Sequence, residues 1–271
     1  MFKDVIIALA LVGGVGLIAA ILLAIATHFF SIEKEEIINN VRKKLPGINC
    51  GACGYAGCDD YAEAIAKNGA KINSCVPGGA EATNEIAKLM GIEPPRLIKK
   101  VAFVHCNGNC KAAEHKAEYK GILSCKAEAM LYGGSLACAF GCLGKGDCAA
   151  ACPVKAICIK DDVARIDVNK CLGCGLCVDT CPKKLITLVS EEDKTVVMCH
   201  NKERGATVRK NCKNGCIACG ICEKNCPEGA ITLIDLLAVI DTEKCTGCGI
   251  CVEKCPSKCI KPLDIVGGKI G

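Results

Sequence analysis

The chain has 271 residues and a net charge of +5, and it combines 27 cysteines with no tryptophan and only 3% aromatic residues. That length has room for more than one domain, but the scarcity of aromatic side chains excludes large aromatic-packed cores, and the mild charge accompanies no nucleic-acid-binding motif, so we predict no nucleic-acid partner. The cysteines come in Cys-x-x-Cys runs rather than in the scatter of a secreted disulfide scaffold, which indicates a reducing compartment and small domains held together by metal clusters.

The first element is an uncharged apolar run of 23 residues from Val5 to Thr27. As a helix at about 1.5 Å per residue, it is long enough to cross the roughly 30 Å hydrocarbon core of a bilayer. A cleaved signal peptide is the alternative, but the run is longer than a usual signal-peptide core and lacks an Ala-x-Ala-like cleavage site. Four basic residues at positions 34–44 follow the run and only Lys3 precedes it, so the positive-inside rule places the rest of the chain in the cytoplasm. We predict a single-pass anchor of the inner (cytoplasmic) membrane within residues 1–30.

A group of four cysteines characterises residues 31–95. An amphipathic helix from Ile32 to Leu45 leads into the segment CGACGYAGC, and another cysteine follows a further helical stretch. The glycines let the backbone approach a cluster closely, which predicts one self-contained [4Fe-4S] site. Structural zinc is the alternative for such spacing. The predicted ligands are Cys50, Cys53, Cys58 and Cys75.

Two complete cysteine runs lie in residues 191–271. Each has three closely spaced cysteines and a further cysteine followed by proline, the pattern CxxCxxCxxxCP. In bacterial ferredoxins, three such thiolates bind one cubane cluster, and the cysteine before the proline reaches across to the other cluster. The predicted ligand sets are Cys216, Cys219, Cys222 with Cys255, and Cys245, Cys248, Cys251 with Cys226.

Residues 96–190 repeat this pattern at an offset of 74 positions, which joins Cys152 to Cys226 and Cys181 to Cys255. In each copy we expect a short helix after the first Cys-Pro and a β-hairpin between the runs. One ligand set of the earlier copy is complete: Cys152, Cys171, Cys174 and Cys177. In the other, Lys145 stands where Cys219 is expected to ligate. Either that site is altered or, as we predict, Cys138 serves as third ligand beside Cys142, Cys148 and Cys181.

These elements predict an α+β fold class of small iron-sulfur domains. A transmembrane helix (1–30) precedes a single-cluster 4Fe-4S domain (31–95) and two tandem bacterial-type ferredoxin-like modules, 96–190 with an insertion and 191–271. Five [4Fe-4S] clusters account for 20 of the 27 cysteines. A sixth cluster stays open as a hypothesis, with inert thiols as the alternative, because spacing assigns no ligand set among Cys106, Cys110, Cys125, Cys199 and Cys212. Buried free thiols are expected at Cys158 and Cys259, which lie in apolar stretches.

The anchor, the Cys50 to Gly79 block and the Cys-Pro runs make the chain resemble the RnfB family, the iron-sulfur (polyferredoxin) component of the Rnf complex. That complex is a membrane-bound ferredoxin:NAD oxidoreductase which couples electron transfer to sodium or proton translocation. The resemblance implies a translocase component that accepts electrons from soluble ferredoxin or flavodoxin and passes them to other membrane and peripheral subunits of the complex. Short members of the family carry one double-cluster module, and this chain departs from them by its extra cysteine-rich sequence.

The residues themselves offer no catalytic pocket. No Ser/His/Asp order, no dinucleotide fingerprint after a strand and no flavin motif occurs in the sequence. A series of one-electron carriers on a membrane tether therefore favours an electron carrier. Two alternatives stay open: a reductase component that keeps a redox-sensing regulator reduced, and a zinc-filled interaction module without redox function.

Overall fold

The computed structural model describes residues 13–23, 35–95 and 97–263. The chain divides into two compact units, one ending at Arg96 and the other beginning at Leu97. Most of the predicted membrane anchor lies outside the described residues. Its central part, 13–23, is helical, and no helix within the described ranges is long and apolar enough to cross a membrane. The transmembrane span thus stays a prediction.

The first unit is helical around its cysteines. After a helix at 35–44, two helices span Cys58–Asn68 and Gly79–Met90. Each ends at a glycine with positive φ, Gly69 and Gly91, a backbone conformation that glycine adopts without steric cost. The buried Tyr61 fixes the intervening loop, because its hydroxyl donates to the carbonyl of Lys71 at 2.6 Å and accepts from the N–H of Ser74 at 3.0 Å. This loop leads directly into Cys75.

The second unit contains the two modules, and the strands described in it form antiparallel pairs. In the first module, β1 (Lys100–Val104) pairs with β4 (Ile186–Ser190), and β2 (Ile157–Lys160) forms a hairpin with β3 (Val163–Ile166). The second module repeats this arrangement. There β5 (Thr195–Val197) pairs with β8 (Ile260–Pro262), and β6 (Ile231–Ile234) with β7 (Leu237–Ile240). Both hairpins expected from the repeat are therefore present.

The short helix expected after the first Cys-Pro of each copy is absent, because turns stand at 153–154 and 227–228. Short helices instead precede each Cys-Pro in both modules. They span Asp147–Ala150, Leu176–Thr180, Ile221–Lys224 and Ile250–Lys254. A glycine with φ between 71° and 86° precedes each of them, so the chain turns sharply and places the last cysteine of the run in the first helical turn, facing inward. Two further helices, Cys125–Met130 and Gly205–Asn211, lie between the first strand and the first run of their modules.

Candidate iron-sulfur centres

The cysteines of the first unit lie together. Burial raises the pKa of the Cys75 thiol, and the neighbouring sulfur atoms of Cys58, Cys53 and Cys50 raise it further. Gly78 allows this close approach, because a Cβ there would lie 3.2 Å from the Cys75 sulfur and 2.7 Å from the Cβ of Ala82. The structure thus brings the four cysteines predicted for this site into one group.

The four cysteines of the complete ligand set predicted for the first module also lie together. Burial raises the pKa of the Cys177 thiol to about 12, with further contributions from the sulfur atoms of Cys171, Cys174 and Cys152. Backbone N–H groups surround these sulfur atoms. Ala102 donates to Cys171 and Ala156 donates to Cys152, both at 3.3 Å. Such donors stabilise thiolates and are among the features that tune an iron-sulfur cluster.

The second module holds two further groups, each around its own cavity. One cavity, of about 330 Å³, is lined by Cys226, Cys245, Cys248 and Cys251. The other, of about 320 Å³, is lined by Cys216, Cys219, Cys222 and Cys255. In both, the cysteine before the proline joins three cysteines of the opposite run, which is the crossed arrangement expected of a two-cluster ferredoxin.

The remaining group of the first module differs from the sequence expectation. A cavity of about 360 Å³ is lined by Cys125, Cys142, Cys148 and Cys181, and Cys138 is not among its lining residues. Burial raises the pKa of Cys148 to about 12, and the sulfur atoms of Cys142, Cys125 and Cys181 contribute to the rise. The prediction that Cys138 replaces the thiol missing at Lys145 is therefore corrected: Cys125 occupies that place.

The carboxylate of Asp147 explains how Cys125 reaches this group. Asp147 immediately precedes Cys148 in the chain, and its oxygens accept hydrogen bonds from the backbone N–H groups of Cys125 and Lys126, each at 3.0 Å. The hydroxyl of Ser124, which caps the helix Cys125–Met130, donates to the same carboxylate at 2.9 Å. A carboxylate at a helix N-terminus is favourable because it satisfies free N–H groups. This contact places the helix Cys125–Met130 beside the cysteine run that contains Cys148.

The structure separates the other cysteines of the sixth-cluster hypothesis into three that line one cavity and one that does not. Cys106, Cys199 and Cys212 are buried, and they line a cavity with Cys138. Cys110 is exposed and lines none of these cavities. Sequence reasoning missed the roles of Cys138 and Cys125 because neither has a short spacing to its neighbours in space. A signal was present in Ser124, whose residue type favours the N-cap of a helix.

The arrangement of the thiols suits a cubane cluster. Across residues 13–23, 35–95 and 97–263, no three histidine, cysteine, aspartate or glutamate side chains converge so closely that they could hold one metal ion. A [4Fe-4S] cluster has a different requirement, because each of its four thiolates binds a different iron. Four sulfur atoms around a cavity, with N–H groups directed at them, meet that requirement.

Two protein-family models match the chain. The model described as a putative Fe-S cluster matches residues 45–77. The 4Fe-4S dicluster domain matches residues 170–230 and 215–259. The matches therefore cover the four cysteines of the first unit and three of the four Cys-Pro motifs.

Curated relatives extend this similarity over most of the chain. The B component of the Na⁺-translocating ferredoxin:NAD⁺ oxidoreductase complex of Acetobacterium woodii is 43% identical over 78% of this chain and 64% of its own length. The B component of the ion-translocating oxidoreductase complex of Methanosarcina acetivorans is 40% identical over 90% of this chain and 93% of its own. The B component of the proton-translocating ferredoxin:NAD⁺ oxidoreductase complex of Clostridium ljungdahlii is 40% identical over 79% and 76%, respectively. These matches confirm the resemblance found in the sequence, and the chain belongs to the RnfB family of ion-translocating oxidoreductase complexes.

Proposed function

We propose that the chain is the electron-carrying subunit of an ion-translocating ferredoxin:NAD⁺ oxidoreductase complex. The observation that supports this most directly is the grouping of cysteines into separate sets of four, together with family membership. The sets would hold five [4Fe-4S] clusters, which supply one-electron redox chemistry when bound. They are Cys50, Cys53, Cys58, Cys75; Cys125, Cys142, Cys148, Cys181; Cys152, Cys171, Cys174, Cys177; Cys216, Cys219, Cys222, Cys255; and Cys226, Cys245, Cys248, Cys251.

The side chains and backbone have distinct tasks in this function. The cysteines bind as thiolates, so the thiols whose pKa is raised by burial, such as Cys148 and Cys177, release their protons when a cluster enters. The backbone N–H groups at Cys152 and Cys171 stabilise the negative sulfur atoms, and partial burial of the groups limits access of water. Hydrogen bonding and burial are the means by which a protein sets the potential of such a cluster.

The route of electrons follows from the order of the domains. Soluble ferredoxin would reduce the two C-terminal modules, and the Cys50 group would pass electrons on to membrane subunits, because its domain adjoins the predicted anchor in the sequence. The clusters would then lie on the cytoplasmic side of the inner membrane. A Cys53→Ser/Cys58→Ser variant within the assembled complex should accept electrons from ferredoxin but fail to reduce the membrane subunits. Normal transfer in that variant would overturn the route.

The composition of the purified protein tests the function itself. Protein isolated without oxygen should contain at least about 20 irons with matching acid-labile sulfide, four per cluster, and dithionite should bleach its visible absorption. Substantial zinc with little sulfide would overturn the proposal in favour of a structural zinc module. Co-purification with the other subunits of the complex separates this function from reduction of a redox-sensing regulator, which needs the same clusters but another partner.

A further inference from the structure

Four cysteines outside the five groups surround one further cavity. Cys106, Cys138, Cys199 and Cys212 line a space of about 370 Å³, close to the 320 to 360 Å³ of three proposed cluster cavities. Each of the four cysteines is at most 8% exposed. All four thiols are therefore directed into the protein around a space of the size that the other groups enclose.

The two modules contribute to this cavity equally. Cys106 lies two residues after the end of β1, and Cys199 lies two residues after the end of β5. Cys138 precedes the first cysteine of its run, Cys142, by four residues, and Cys212 precedes Cys216 by the same interval. Each module thus supplies one thiol from its first strand and one from the segment before its first run, so the cavity lies between the modules.

Hydrogen bonds to the sulfur atoms repeat with the same symmetry. The backbone of Cys142 donates to the thiol of Cys106, and the N–H of Cys216 donates to the sulfur of Cys199 at 3.3 Å. The thiols of Cys138 and Cys212 each accept from the backbone of the residue two positions later. Donors of this kind surround the sulfur atoms of the other groups as well. They favour thiolate ligands.

Other residues that line the cavity also lie close to the sulfur atoms of its cysteines. The buried side chain of Asn201 donates an N–H to the sulfur of Cys138 at 3.3 Å. At Gly108 a Cβ would lie 3.2 Å from the sulfur of Cys212 and 3.7 Å from that of Cys106, so a larger residue would crowd both thiols. Burial raises the pKa of Cys106 to about 12, as it does in the thiols of the other groups.

We propose that Cys106, Cys138, Cys199 and Cys212 hold a sixth [4Fe-4S] cluster between the two modules. This proposal rests on the iron-sulfur function proposed above. One cysteine group of each module adjoins this site. Cys142 and Cys216 belong to those two groups, and their backbones hydrogen-bond to the sulfur atoms of Cys106 and Cys199. A cluster held by these four thiols would supply a one-electron carrier between a cluster of one module and a cluster of the other, returning to its starting charge once the electron has been passed on.

Iron and sulfide per chain test this ligand set in the full-length protein purified without oxygen. Wild type should contain about 24 irons, and the Cys106→Ser/Cys212→Ser variant about 20. The matched control is Cys110→Ser/Cys158→Ser, which removes two thiols that line none of the cavities and should keep about 24.

The outcomes separate the two proposals. About 20 irons in both wild type and the Cys106/Cys212 variant would overturn the sixth cluster and leave the electron-carrying function intact, whereas little iron or sulfide in wild type would overturn that function. If the Cys106→Ser/Cys212→Ser variant loses more than one cluster, the single variant Cys212→Ala tests the proposed ligand set. Loss of one to four irons, or a new three-iron signal in electron paramagnetic resonance, supports the ligand set. An unchanged iron content and spectrum contradict it.

Discussion

The ammonium nitrogen of Lys145 lies 3.5 Å from Oε2 of Glu128, a carboxylate whose side chain is only 1% exposed. The other carboxylate oxygen accepts from the N–H and the hydroxyl of Ser135 at 2.9 and 2.6 Å. Lys145 stands where the second module has Cys219, and Glu128 lies on the helix Cys125–Met130. The inserted helix therefore supplies both the thiol that lines the cavity with Cys142, Cys148 and Cys181 and the carboxylate that pairs with the lysine.

Loss of this ion pair should destabilise the first module. Replacement of Glu128 by Gln leaves the Lys145 ammonium without its partner, and we expect a decrease of about 1–3 kcal/mol in the free energy of unfolding, measured by anaerobic denaturant titration. The control Glu118→Gln removes a carboxylate from the exposed pair with Lys120 and should change this free energy by less than about 0.5 kcal/mol. Equal effects of both variants would contradict a special role of the buried pair.

The same variant should show a defined pH dependence. Burial alone raises the pKa of Glu128, but hydrogen bonds from Ser135 and the charge of Lys145 outweigh it, so the pKa in the folded protein lies below the ordinary 4.5. The stabilisation by the carboxylate is complete above pH 4.5 and is lost as the pH falls through the lower pKa of the folded state. The difference between wild type and Glu128→Gln should therefore shrink below pH 4.5. A constant difference at acid pH would contradict this origin.

The assignment of Cys125 predicts a loss of iron and its rescue. Cys125→Ser should remove one cluster, about four irons per chain. A second change, Lys145→Cys, gives the first module the spacing of Cys216, Cys219 and Cys222 and should restore that iron at least in part. If Cys125→Ser keeps the full iron content, Cys125 is not a ligand.

Cys259 is expected to tune a cluster without binding it. Its sulfur lies 3.6 Å from that of Cys255, and the hydrogen bond between the two thiols lowers the pKa of Cys255 to about 5. The equivalent position of the first module, 74 residues earlier, is Leu185. Replacement of Cys259 by Leu should lower the reduction potential of the adjacent cluster by roughly 40 mV, since a hydrogen bond of about 1 kcal/mol stabilises the more negative reduced state.

A redox titration followed by electron paramagnetic resonance measures this shift. The matched control is Cys158→Thr, which likewise introduces the residue of the other module, Thr232, at a thiol that lines none of the cluster cavities. It should leave every potential unchanged. A shift of the same size in both variants would exclude the hydrogen bond as its cause.

The close approach at Gly78 predicts sensitivity of the first unit to one methyl group. A Cβ there would meet Ala82 and the sulfur of Cys75, so Gly78→Ala should displace Cys75 and lower the iron content by up to one cluster, about four irons. Gly69→Ala is the control. Gly69 has a positive φ but nothing within 4 Å of its Cβ position, so its substitution strains the backbone by about 1 kcal/mol without touching a ligand. Iron lost equally from both variants would indicate general instability instead.

The contrast between Cys219 and Cys125 shows what a sequence can reveal about such sites. The complete runs could be predicted because three of the four cysteines proposed for one cluster lie three positions apart, and the hairpins because the repeat aligns them. Cys125 could not, since its place depends on hydrogen bonds to Asp147 across 22 residues. The pairings of β1 with β4 and β5 with β8 are even more remote in sequence, and Cys106 and Cys199 lie just beyond the ends of β1 and β5.

Because of the cavity between the modules, the two modules together can hold more clusters than the sum of two separate modules. Each module carries two of its four thiols, one after the first strand and one before the first run, and neither pair alone can complete a cubane. In a chain with a single module, the two thiols of that module would have no cluster to bind. With the proposed ligand sets, deletion of either copy would remove three clusters instead of two, and an electron path between the copies would exist only in the tandem chain.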